Sequence, residues 1–215
     1  MTRTRGGSQA PPERVERGWI IVPRFFASTI VGACFWALQL APSSANDVHV
    51  AAVTAYVEAN VRRWIQDPVI IDGINDQNEL HAHLTQFDIE TMDANWKIEF
   101  ASNNRPLIDS VLNNALSKFL KEKQADSDGV ITEIFVIDAK GLSIGESEVS
   151  SDYWQGDELK WQKTYLVGPD VLFVDRQEKD ESTQMLQSQA SMTISDPKTG
   201  QPIGAITVGI NLDAL

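Results

Sequence analysis

A change of period at Gly129 limits this chain more than any other feature. Upstream of it apolar residues recur at helical spacing, and downstream they alternate or run in short β-type blocks. Val48, Ala52, Tyr56, Val57, Val61, Trp64 and Ile65 share one face over residues 46–66, which predicts a long amphipathic helix stopped by Asp67-Pro68. Two further helical regions follow, over 72–91 and 105–124. Beyond Gly129 the runs 130–138, 142–148, 171–177, 184–195 and 202–212 read as five antiparallel strands. Ala139-Lys140-Gly141 turns the first pair, and Asp196-Pro197-Lys198-Thr199-Gly200 turns the last. Ile206, Val208, Ile210 and Leu212 alternate, so one sheet face is apolar and receives the first helix.

Between the second and third strands lies Ser151–Lys163. Read as a helix capped by Asp152 with Gln155 three residues on, it puts Trp154, Asp157, Glu158, Trp161 and Tyr165 on one face. Indoles, a phenol and carboxylates together suit a pocket wall, where aromatic rings stack on a planar ligand. They suit equally the plain cementing of a helix to a sheet.

With 215 residues and 42% hydrophobic content, one good core is the expectation. The formal net charge is −12, yet five of the 18 basic residues and two of the 30 acidic ones fall before residue 46. The chain beyond that point is therefore more acidic than the total, which disfavours nucleic acid as a partner. The first 45 residues run from an Arg-bearing segment through an apolar stretch, 25–40, to Ser43-Ser44-Ala45, the order of a signal peptide cleaved after Ala45. An uncleaved membrane anchor is the alternative. Lipidation at Cys34, the one cysteine, is a third reading; the apolar run continuing past it argues for a cysteine within the leader. Export of this kind places the domain in the periplasm or outside the cell.

Candidate chemistry is sparse. His81 and His83 stand two apart on a helix and point away from each other, so they share no metal ion. Asp126-Ser127-Asp128-Gly129 lacks the acidic first and twelfth positions of a calcium loop. No nucleophile-base signature appears, so neither a catalytic residue nor a cofactor is expected. Arg176 follows Leu172 and Val174 at a period of two, and a cation among apolar neighbours needs a carboxylate, either a ligand's or that of Glu133. Gln189 sits mid-way along the polar side of the fourth strand; Lys160 reads as solvated.

The motifs Ile134-Phe135-Val136-Ile137-Asp138-Ala139-Lys140-Gly141, Ser151–Glu158 with Lys160-Trp161, and Ser195-Asp196-Pro197 leading into 204–212 resemble, in that order, the Cache family of extracytoplasmic sensor domains in its single-module form. The resemblance implies an α+β fold: a long N-terminal helix and helical connector on a five-stranded antiparallel PAS-like sheet, with a helix between strands 2 and 3. It divides the mature chain into a helical part, 46–128, and a sheet core with a ligand pocket, 129–215. It further implies a small-molecule ligand, an organic anion or amino-acid-like metabolite, bound by Tyr153, Trp154, Trp161, Tyr165, Arg176, Asp180 and Gln189. The amino-acid pattern of double-Cache relatives is half present. Asp180 matches the acidic position, while Leu159 stands where those relatives carry Arg, and Gln162 replaces Tyr. A membrane receptor or histidine kinase is the candidate signalling partner, and the N-terminal helix is a candidate homodimer surface. A structural protein that uses the same fold and helix to dimerise, without ligand, is the competing reading.

Overall fold

In the computed structural model, which describes residues 45–179 and 185–215, the first helix α1 (Ala45–Tyr56) passes into a π-helical turn, Val57–Val61. Val53, Val57, Val61 and Ile65 recur every fourth residue and are buried together; of the face that the spacing predicts, Val57, Val61 and Ile65 are buried and Tyr56 and Trp64 half-buried, while Val48 and Ala52 are exposed, because the strict four-residue stripe runs back through Val53 instead. Asp67 ends this segment and starts the next, because its carboxylate accepts from the Val69 amide at 3.0 Å and Pro68 needs no acceptor at the first helical position.

The second expected helix, 72–91, is two. α2 (Pro68–His81) stops, and Thr85 opens α3 (Gln86–Phe100) through a capping box with Asp88. The third, 105–124, is likewise α4 (Pro106–Leu112) and α5 (Ala115–Ala125), divided where Asn114 caps α5 by accepting from Ser117. In each case a cap residue inside an apolar pattern breaks a helix that periodicity alone would continue.

The strands are β1 (Ile131–Ile137), β2 (Ser143–Glu146), β3 (Leu172–Val174), β4 (Glu178–Lys179), β5 (Leu186–Ser195) and β6 (Pro202–Asn211). Every pairing is antiparallel, in the order β2-β1-β6-β5-β3, with the two-residue β4 also on β5. This order makes the sheet PAS-like, as the Cache resemblance implies; the short β4 is the one addition to the five expected strands. Asp138 and Asp196 build the turns by the same device, a carboxylate accepting from the amides two and further residues on: Lys140 and Leu142 in one, Lys198 and Thr199 in the other. Gly141 has φ +84°, and a Cβ there would stand 2.6 Å from the Gly156 Cα, so the first turn requires glycine.

Pleating sends alternate residues to opposite faces. Ile134, Val208 and Ala190 lie in register across β1, β6 and β5, and with Val136, Ile206, Ile210, Met192 and Ile194 they form the face that α1, α2 and α5 cover. A second cluster, centred on Trp96, Ile89, Ile108 and Tyr153, joins α3 and α4 to the segment after β2.

That segment departs from the expected helix over 151–163. Residues 153–155 are not helical. Trp154 faces Leu142 as an antiparallel bridge, Ser143 donates to the Tyr153 carbonyl at 3.0 Å and Gln155 donates to Gly141 at 2.7 Å. Helix α6 is only Leu159–Gln162, and Asp152 caps nothing. Gly156 lies against the Trp154 indole, where a Cβ would fall 2.4 Å from Nε1, so the chain turns there instead of coiling.

Candidate functional site

The sheet face opposite the helices is apolar at Phe135, Ile137 and Ala205 and polar beyond them. Glu133, Gly209 and Gln189 are neighbours across β1, β6 and β5. Because Gly209 has no side chain, Glu133 and Gln189 reach over it and bond, Nε2 to Oε1, at 2.8 Å; a Cβ on Gly209 would lie 2.7 Å from the Glu133 Cγ. On the next rung stand Phe135, Thr207 and Ser191, the last two with hydroxyls 3.0 Å apart and fully enclosed. Glu146 pairs with Phe135 from β2 and is completely buried. Its carboxylate accepts from the Ser150 amide at 2.9 Å and hydroxyl at 2.7 Å. Burial pushes its pKa up and the nearby Glu133 charge adds to this, against the pull of the Ser150 bonds.

The segment from Ser147 to α6 lies over this face. It is tied to α3: Trp96 donates to the Ser150 carbonyl at 2.9 Å, Asp93 accepts from the Tyr153 and Trp154 amides at 3.1 Å, and Lys97 bridges Asp93 and Asp152. Partial burial works against ionisation of Asp152, and Lys97 outweighs it to hold the carboxyl below its ordinary range. From α6, Lys160 turns inward with its side chain only 13% exposed, its ammonium 5.1 Å from the Phe135 ring centre and 3.3 Å from Glu158. Gln155 is 3% exposed; its amide NH2 donates to the Asp152 carbonyl at 2.8 Å, and its Oε1 is buried without a partner.

Two cavities open here. One of about 210 Å³ is lined by Glu133, Phe135, Gln155, Lys160 and Gln189 among others. The other, about 440 Å³, continues past Asp175, Arg176 and Ser188. They share Glu158, Lys160 and Gln189, so Lys160 and Gln189 stand where the two meet. Both signs of charge are present.

Of the residues singled out from sequence, Gln189 lines both cavities and Arg176 lines the larger. Arg176 does not follow Leu172 and Val174 inward: β3 has ended, and the exposed guanidinium bonds Glu178 at 2.8 Å instead of Glu133. Tyr153 is buried in a stack on Trp96, centres 5.1 Å apart, and burial raises its pKa. Trp154 and Trp161 spend their indole N–H groups on the β1–β2 turn, donating to Lys140 at 3.1 Å and Asp138 at 3.2 Å. Tyr165 stacks on Trp161 at 5.2 Å. None of these four lines either cavity; Trp154 and Trp161 fasten the cap to the hairpin, Tyr153 packs it on α3, and Tyr165 backs Trp161. Asp180 and the 1–45 leader short of its final residue lie outside the described residues. Lys160, Gln155 and Glu133 carry more of the site than their sequence signals imply. The strand period could have found Glu133, two residues before Phe135; nothing local marks Lys160 as inward. Among the described residues no group of three His, Cys, Asp or Glu could hold a metal, and no helix is long and apolar enough to cross a membrane.

No protein-family model matches the chain, and no curated protein matches it. Solved structures similar to it include the sensor domain of the V. cholerae histidine kinase DctB, 13% identical over 77% of this chain and 51% of that one, with a TM-score of 0.43. The ligand-binding domain of the C. jejuni chemoreceptor Tlp3 in complex with 4-methylisoleucine is 15% identical over 69% and 62%, TM-score 0.37. That of the P. aeruginosa amino acid chemoreceptor PctC in complex with GABA is 12% identical over 77% and 61%, TM-score 0.38. The chain spans between about half and three-fifths of the length of these structures. At such identity the likeness is one of chain path and gives no residue a role.

Proposed function

We propose that this chain is an extracytoplasmic ligand-binding sensor module of the Cache type, non-enzymatic, that passes occupancy of the outer-face pocket to a separate membrane receptor or histidine kinase. The observation that carries the proposal is the polar cleft lined by Lys160, Gln189, Glu133 and Gln155. Polar and charged side chains are costly to gather in a half-buried cleft, and Lys160, Glu133 and Gln189 converge there, the arrangement of a small-molecule site. The chemistry fits an amino-acid-like metabolite: a carboxylate on Lys160, and an amine on Glu133. An organic anion without the amine would satisfy Lys160 alone. Export by the leader, with cleavage after Ala45, belongs to the same proposal.

Thermal-shift screening of the full chain with amino acids and short carboxylates tests it. A ligand at about 100 times its Kd adds about 2.7 kcal/mol to stability. Lys160→Ala removes a charge-assisted bond and weakens that ligand roughly tenfold or more. The absence of any stabilising compound at millimolar concentration contradicts the proposal.

One observation favours dimerisation through α1 as a second property. Val48, Ala52, Ala55 and Ala59 form an exposed apolar stripe on the side of the helix away from the core, with Val48 59% exposed. Sedimentation of the full chain, with Ala52→Glu as the disrupting variant, checks it: the variant is expected to be monomeric.

A further inference from the structure

We infer that His49 is a positioning residue that couples the first helix to the rim of the outer-face pocket. His49 lies on α1, 7% exposed, between the exposed Val48 and Val50. Its Nε2 is 3.1 Å from the carbonyl oxygen of Asp175, so Nε2 carries the proton and donates, and Nδ1 is buried without a partner. Among the described residues this is the one hydrogen bond from an α1 side chain to the sheet region; Val53 and its neighbours meet the sheet through apolar contact, which tolerates sliding.

The acceptor belongs to the pocket. Asp175 lines the larger cavity with Ser188 and Gln189. The same carbonyl accepts the Ser188 hydroxyl at 2.8 Å, and the Asp175 amide donates to the Gln189 carbonyl at 2.8 Å. One peptide group thus joins α1, β5 and the loop carrying Arg176. A guest that moves Gln189 or this loop changes the position of the oxygen that His49 must follow. If the loop moves and α1 does not, a buried imidazole loses its one hydrogen-bond partner, so the two positions are energetically linked, and the linkage is reciprocal.

The inference rests on the ligand-binding proposal for its purpose, yet its test needs no ligand, so the two fail separately. Amide hydrogen exchange is measured on the full chain. His49→Leu keeps an apolar side chain in place and removes the donor. It is expected to speed exchange at the Asp175 amide roughly 3- to 10-fold, with Ile134 in the central sheet unchanged, and His49→Gln, which keeps an N–H, is expected to restore most of the protection. In the other direction, Asp175→Gly softens the rim and is expected to speed exchange across α1 in the His49 protein and not in His49→Leu. An unchanged Asp175 amide in His49→Leu overturns the inference. So does equal acceleration at Ile134, which would make the role merely structural, or an equal effect of Asp175→Gly in both backgrounds.

Discussion

The two faces of this sheet use the same strands for opposite ends. On the helix side Ile134, Val136, Ile206, Val208 and Ile210 are sealed under α1, α2 and α5, all of them apolar and fully buried. On the other side the intervening residues are mixed: Phe135, Ile137 and Ala205 are apolar and buried, Thr207 and Ser191 are polar and buried as firmly, while Glu133 lines one cavity and Gln189 both beneath the 147–162 cap. A dry face stabilises in proportion to the area it buries, and a polar enclosed face gains little unless every group is paired. Stability therefore resides mainly on one side, and the proposed recognition surface lies on the other.

Substitutions should separate the two. The largest effect is expected from Ile206→Ala, which opens a cavity in the apolar face and costs about 3 kcal/mol in urea unfolding while leaving pocket chemistry in place. Gly209→Ala acts on the other face. Its methyl collides with Glu133 and Thr132, breaks the Glu133–Gln189 bond and costs about 2 kcal/mol, with ligand binding lost altogether. Trp161→Phe removes the bond to the Asp138 carbonyl, an acceptor that keeps the Gly141 amide; unfolding is expected to ease by about 1 kcal/mol, with faster exchange of the α6 amides.

The smallest effect is a slope. Burial raises the Glu146 pKa above the ordinary 4.5, so the unfolded chain loses this proton first as pH rises. The contribution of Glu146 is then fully favourable below the ordinary glutamate range and declines as pH climbs through the folded value. Glu146→Gln cannot ionise, so its unfolding free energy should exceed that of the parent progressively more toward neutral pH. A difference that shrinks over that interval would show the Ser150 bonds outweighing burial.

The division between faces is legible in the sequence wherever period alone decides it. Ile206, Val208 and Ile210 alternate plainly, and the hairpin pairings follow from short turns at Asp138 and Asp196. Helix ends are less legible, because Thr85 and Asn114 are ordinary polar residues until an amide is found pointing at them. The cap departs from its helical spacing for a definite reason. Trp154, Trp161 and Tyr165 do stand at that spacing, but Gly156 interrupts them, and Tyr153 and Trp154 are β-type residues that find hydrogen-bond partners on the hairpin. The site itself depends on residues brought together from β1, β5 and the cap, and the inward Lys160 meets the Phe135 ring from the sheet and Glu158 from the cap, neither of which its local sequence announces.

Backbone chemical-shift mapping of the isotopically labelled chain, titrated with amino acids and short carboxylates, tests most directly whether the outer face is the recognition surface. Saturable shifts concentrated at Glu133, Gln155, Lys160 and Gln189, absent in Lys160→Ala, are the predicted result. Shifts confined to the α2 and α5 side, or a spectrum that no compound changes, would contradict it.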